Sequence, residues 1–136
     1  MTTAGYSGTP LIKKLGLNPG HRIWLFNSPA GYSSLLGSDP SGQICSPRET
    51  PDWAHLFAVS QKAFEKGMQP LNRARKKNPR LIVWVSWYKK SSGISTDLTE
   101  NIIRDYALAN GWVDVKVCAV NEEWSGLKLV VPLSMR

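Results

Sequence analysis

Residues 81–100, LIVWVSWYKKSSGISTDLTE, form the stretch on which the fold turns. Their first seven are apolar on both alternating faces: Leu81, Val83, Val85 and Trp87 on one, Ile82 and Trp84 with Ser86 on the other. A strand apolar on both faces belongs in the middle of a parallel sheet with helices on each side. Lys89 and Lys90 stand where that strand ends. A Ser/Gly loop follows, and Thr96-Asp97-Leu98-Thr99-Glu100 opens a helix with capping residues and acids in its first turn. Ligands of open α/β sheets collect beyond the carboxyl ends of the strands. The sequence therefore puts two lysines, several hydroxyls and a helix N-terminus at that edge.

Upstream, Thr9-Pro10 predicts a helix start, with Thr9 as N-cap, and Gly16 its end. Residues 21–26 read as the first strand and 27–31 as the loop after it. Residues 32–36 predict a brief helix, and 37–51, rich in Gly, Ser and Pro, predict loop with at most a short strand at 43–46. The next strand is 53–59. Gly67 and Pro70 then interrupt a helical pattern, which predicts two short helices or one kinked one. Downstream, 98–110 is an amphipathic helix with its stripe at Leu98, Ile102, Tyr106 and Ala109. The runs 113–120 and 127–131 flank a turn at 121–126 as an antiparallel hairpin. The fold class expected is α/β: a three-layer sandwich, mostly parallel, with an antiparallel C-terminal hairpin strand. It makes one domain over 1–136, with 1–8 as a flexible arm and 37–51 rich in loop.

The chain of 136 residues has a net charge of +7 that is unevenly placed. Residues 61–80 carry seven basic side chains against Glu65 alone, so one helical segment holds most of the excess. No apolar run approaches the roughly 20 residues that span a bilayer, and the start has no apolar signal core. A cytoplasmic protein without a membrane partner is expected. Cys45 and Cys118 lie far apart, in no metal-like spacing, and read as free thiols; no metal is expected.

Residues 15–31, LGLNPGHRIWLFNSPAG, resemble the opening of a class I S-adenosylmethionine-dependent methyltransferase: leucine-rich helix, Pro-Gly turn, Arg, apolar strand, then loop. The resemblance implies a Rossmann-like frame whose last strand inserts antiparallel into the sheet. The cofactor loop departs from the family. Leu25 stands where the family strand carries its acid, Asn27 and Pro29 replace two glycines, and only Gly31 survives. Glycines there let backbone approach the cofactor, whereas proline removes an N–H donor. No cofactor is therefore expected, S-adenosylmethionine included. More narrowly, GYSGTPLIKKLG, WVSWYKKSSG with TDLTE, and VDVKVCAVNEEWSGLKLV resemble a family of small uncharacterised bacterial proteins.

The candidate ligand-binding residues are Asn27, Ser28, Gly31, Ser60, Trp87, Lys89, Lys90, Ser91, Thr96 and Trp124. Lysines, hydroxyls and a helix N-terminus suit an anion, although Asp97 is expected to occupy that N-terminus as a cap. His21 and His55 fall near the starts of their strands, away from the crevice, and leave it without a general base. Glu122 and Glu123 reach the correct edge to meet Lys89. Arg73, Lys76, Lys77 and Arg80 form a basic patch without interleaved aromatics, which does not favour nucleic acid. Trp24, Trp53, Trp84 and Trp112 are expected in the core, and Trp87, Trp124 and Tyr88 at the crevice. The expected function is a non-catalytic, methyltransferase-like domain that binds an anionic small molecule or a protein partner. The alternatives are an enzyme with an altered S-adenosylmethionine or nucleotide pocket, and a nucleic-acid-associated accessory protein.

Overall fold

In a computed structural model, residues 10–136 are described; the arm at 1–8 and the N-cap expected at Thr9 fall outside them. The order of elements is α1 (Leu11–Lys14), β1 (Ile23–Phe26), α2 (Tyr32–Leu36), β2 (Trp53–Phe57), α3 (Gln61–Lys77), β3 (Ile82–Tyr88), α4 (Glu100–Ala109), β4 (Val113–Ala119) and β5 (Trp124–Val130). The five strands make one sheet in the order β1-β2-β3-β5-β4.

The doubly apolar strand is central, as its sequence requires. β3 pairs in parallel with β2 and antiparallel with β5, Val85 lying opposite Leu56 on one side and Leu127 on the other. β1 and β2 pair in parallel, β4 and β5 antiparallel. The sheet is mixed, which corrects the mostly parallel expectation. Two causes produce this. The hairpin's second strand slots between β3 and β4, so both of its pairings are antiparallel. The 37–51 region meanwhile adds no strand to the parallel half, only a 3-10 turn at Ser41–Gln43 and a single bridge from Ile44 to Ile23.

Buried residues fall into two clusters. One joins Leu56, Val83, Val85, Leu127 and Leu129 to Phe64, Met68, Leu71 and Ala74 of α3 and to Ile103 and Ala107 of α4. The other joins Ile23, Trp53, Phe57, Trp84 and Trp124 to Leu11 and Leu15 and to Tyr32 and Leu36 of α2. Alternation along β2 and β3 sends successive side chains to opposite clusters. The short helix α1 is held by more than burial. The Leu15 carbonyl, one of the orphan acceptors at a helix end, takes indole N–H bonds from Trp53 at 2.9 Å and Trp84 at 2.7 Å. Trp53, Trp84 and Trp112 are core as expected; Trp24 is only half-buried at the margin of the α3 cluster.

α3 runs as one helix through Gly67 and Pro70, which sets aside the alternative of two short helices and leaves that of a single one. Its apolar side, Phe64, Met68, Leu71 and Ala74, is buried at consecutive turns, and that packing outweighs one missing N–H bond at proline. Gly67 serves a close approach: a Cβ there would stand 2.5 Å from a Leu56 methyl. α4 begins at Glu100, capped by Thr99, whose hydroxyl accepts from the Ile102 N–H at 3.3 Å. Asp97 does not cap this helix. Its carboxylate accepts the Gln61 N–H of α3 at 2.8 Å, because the 89–98 loop folds back across the start of that helix.

Candidate functional site

The carboxyl end of β3 opens into a groove of about 1040 Å3 between that strand, the 89–98 loop and the first turn of α4. Trp87, Tyr88, Lys89, Lys90, Ser95 and Thr99 line it, together with Ser125 from β5. It sits where the sheet changes from parallel to antiparallel pairing, beyond a strand's carboxyl end. Both lysines border this groove. β3 stops at Tyr88, Lys89 remains extended and Lys90 begins a 3-10 turn, so strand alternation no longer separates them as a continuing strand would.

The loop is braced. The Lys89 N–H donates to the Glu123 carbonyl at 2.9 Å, so Glu123 meets Lys89 through backbone, not through the expected ion pair. The Ser92 hydroxyl donates to the Lys89 carbonyl at 2.7 Å, and the Thr96 hydroxyl donates to the Val59 carbonyl at 2.9 Å. Among the described residues neither lysine is in an ion pair. The acid bordering the groove, Glu100, is held by Arg104, which also bonds Asp114 at 3.0 Å.

The expected residues divide among several places. Trp87, Lys89, Lys90, Ser91 and Thr96 share the groove. Ser28 and Gly31 border a separate hollow of about 290 Å3 beside Tyr32. Trp124 is buried, stacks on Tyr88 with ring centres 4.2 Å apart, and borders a third cavity on the α2 side. Asn27 is exposed, left-handed at φ 57°, with its amide donating to the Phe57 carbonyl at 3.5 Å. Ser60 caps α3 by accepting from the Ala63 N–H. Arg73, Lys76, Lys77 and Arg80 are all exposed. Thr99, Asn101 and Ser125 were not legible as groove residues. Ser125 enters only through its register opposite Trp87.

A second constellation was missed. His55 is not near a strand edge but fully buried in the middle of β2. Its Nδ1 lies 2.7 Å from the Tyr32 hydroxyl and its Nε2 2.8 Å from the Ser86 hydroxyl. A neutral imidazole offers one donor and one acceptor nitrogen, so the pair of hydroxyls satisfies it without charge. Burial pushes its pKa down to about 3 and pushes the Tyr32 phenol above its usual 10. The ring stacks on Phe57 at 4.1 Å. This network is closed off from the groove and holds α2 to β2 and β3. The signal in the sequence was Ser86, the one polar residue on an otherwise apolar strand face.

Among the described residues no three His, Cys, Asp or Glu side chains are grouped to hold a metal, and no helix is long and apolar enough to cross a membrane. Cys45 and Cys118 are free and half-buried, and burial raises both thiols.

No family model and no curated protein matches the chain. Among solved structures it is similar to a protein of the NADB-Rossmann superfamily from Streptococcus agalactiae. That structure is 10% identical and superposes with a TM-score of 0.54, covering 93% of this chain and 69% of the other. At that identity the likeness shows the fold alone: the chain is an α/β protein with a Rossmann-like fold.

Proposed function

We propose that this chain is a non-catalytic binding domain, built on a three-layer methyltransferase-like frame, that takes an anionic small molecule in the groove at the carboxyl end of β3. The observation that carries the reading is the pair Lys89 and Lys90. Both border one groove, neither is in an ion pair among the described residues, and the neighbouring acid is occupied by Arg104. Ser91, Ser95, Thr99 and Trp87 border the same space, while the Thr96 hydroxyl beside them is already committed to the Val59 carbonyl. This set suits a phosphate joined to a flat or apolar body: cations and hydroxyls for the oxygens, an indole for the rest.

Binding is favoured over catalysis because, among the described residues, no histidine, cysteine or aspartate borders the groove, and the one buried histidine is sealed in its network. S-adenosylmethionine is not the proposed ligand. Leu25, Asn27 and Pro29 still stand where the resemblance calls for an acid and close-approach glycines, and those positions lie away from the groove. The test is a thermal-shift series with inorganic phosphate, mono- and triphosphate nucleotides and S-adenosylmethionine, followed by calorimetry. A phosphate-bearing compound should raise the melting temperature. Lys89→Ala and Lys90→Ala should each weaken it by about 10- to 100-fold, the range for a charged hydrogen bond. Low-micromolar S-adenosylmethionine binding, or undiminished affinity in both variants, would overturn the reading.

A further inference from the structure

The basic segment 61–80 is more ordered than its composition shows. On α3, Lys62, Lys66, Pro70, Arg73 and Lys77 follow one another at steps of four, four, three and four residues. At about 100° per residue these five fall within about 80° of arc, and at about 1.5 Å per residue they extend over about 22 Å. All four cations are exposed. The one acid of the helix, Glu65, lies about 60° to the side of Lys62 on the same geometry.

The lower end of this stripe borders a cleft of about 200 Å3. Pro70, Arg73 and Lys77 form one wall; Arg48 and Thr50, from the loop before β2, form another; Trp24 of β1 completes it. The indole is held in place, with its N–H donating to the Ser46 carbonyl at 3.2 Å. Glu49 also borders the cleft, but its carboxylate faces Arg22 at 3.5 Å and accepts the Ser46 N–H at 3.1 Å. The fold thus brings to the basic helix an aromatic ring and a fifth cation that are remote in sequence.

We propose that this face is a binding site for a single-stranded nucleic acid, distinct from the groove at β3. The phosphates follow the cation stripe and one base enters the cleft against Trp24. A linear row of cations matches a polyanion with regularly spaced charges, and a half-buried indole beside it supplies the stacking surface that single strands use without sequence preference. A duplex has its bases already stacked and gives the cleft nothing to hold. A small anion needs no stripe.

The experiment is fluorescence anisotropy of a labelled 12-mer oligothymidylate with the full chain, between about 50 and 200 mM salt. Three to five phosphate contacts give a log–log salt slope of about −2 to −3.5. Arg73→Glu with Lys77→Glu, both exposed positions, should cut affinity at least tenfold and flatten the slope. Trp24→Leu should weaken binding about 5- to 100-fold with the slope unchanged. Trp24→Phe keeps a ring and should stay nearer the wild type, which guards against a folding defect in the leucine variant. Lys89→Ala and Lys90→Ala should bind the strand as the wild type does. Absence of wild-type binding at the low-salt end would overturn the proposal. So would a duplex of equal length bound as tightly, equal competition by poly-aspartate, indifference to the charge reversal, or loss of binding in the Lys89 and Lys90 variants. A negative phosphate screen at the groove bears only on that other site.

Discussion

His55 should make this protein lose stability on acidification well before its carboxylates titrate. The folded imidazole is fully buried and has its pKa pushed down to about 3, while the unfolded chain protonates at 6.5. A lowered folded pKa means that the unfolded state binds the extra proton first. The contribution is fully present above 6.5 and is lost as pH falls from there towards 3. Each pH unit inside that window is worth about 1.4 kcal/mol, so going from about pH 7.5 to about pH 5 should cost roughly 2 kcal/mol. At a urea dependence of about 2 kcal/mol per molar, the unfolding midpoint should fall by about 1 M. The assay is urea unfolding of the wild type and His55→Gln at both pH values. The amide is uncharged throughout, so the variant starts less stable but lacks most of the acid loss; His21 is common to both and cancels. An equal midpoint shift in the two proteins, or a His55 imidazole seen by NMR to titrate near 6, would refute the reasoning.

The other end of the network predicts an alkaline counterpart. Burial raises the Tyr32 phenol above 10, so the unfolded chain ionises first and stability should fall as pH rises past 10. Tyr32→Phe should flatten that limb in thermal melts, at a cost of about 1–3 kcal/mol near neutrality for the unpaired His55 nitrogen. Gly111 has φ +83° and a Cβ there would stand 2.7 Å from the Arg75 guanidinium, which lies 5.8 Å from the centre of the Trp112 ring. Gly111→Ala should lose about 1–2 kcal/mol in urea unfolding, from backbone strain and displacement of that arginine; an unchanged midpoint would count against it.

Much of the fold is written locally. A strand apolar on both faces has to lie in the middle of a sheet, and 81–87 does. The left-handed glycines Gly16 and Gly111 mark helix ends because they act through their own neighbours, whereas the caps at Ser60 and Thr99 emerged only from the structure. The sequence sets Lys89, Lys90 and the hydroxyls after them at a strand's carboxyl end, but strand alternation would send the two lysines to opposite faces. Both border one groove only because β3 stops at Tyr88 and Lys90 begins a 3-10 turn. Tertiary structure decided the rest. Asp97 could have capped either helix, and only the fold-back of its loop directs it to Gln61. Pro70 argues against a continuous helix until the burial of Phe64, Met68 and Leu71 is counted against one lost bond. Ser28, Gly31 and Trp124 read as crevice residues but border other cavities, because where a loop residue or side chain ends up depends on helix placement that periodicity does not carry. His55 with Ser86, and Trp24 with Arg73, are pairs remote in sequence. Nothing in either local pattern encodes the other member, so their meeting is a property of sheet register and helix packing alone.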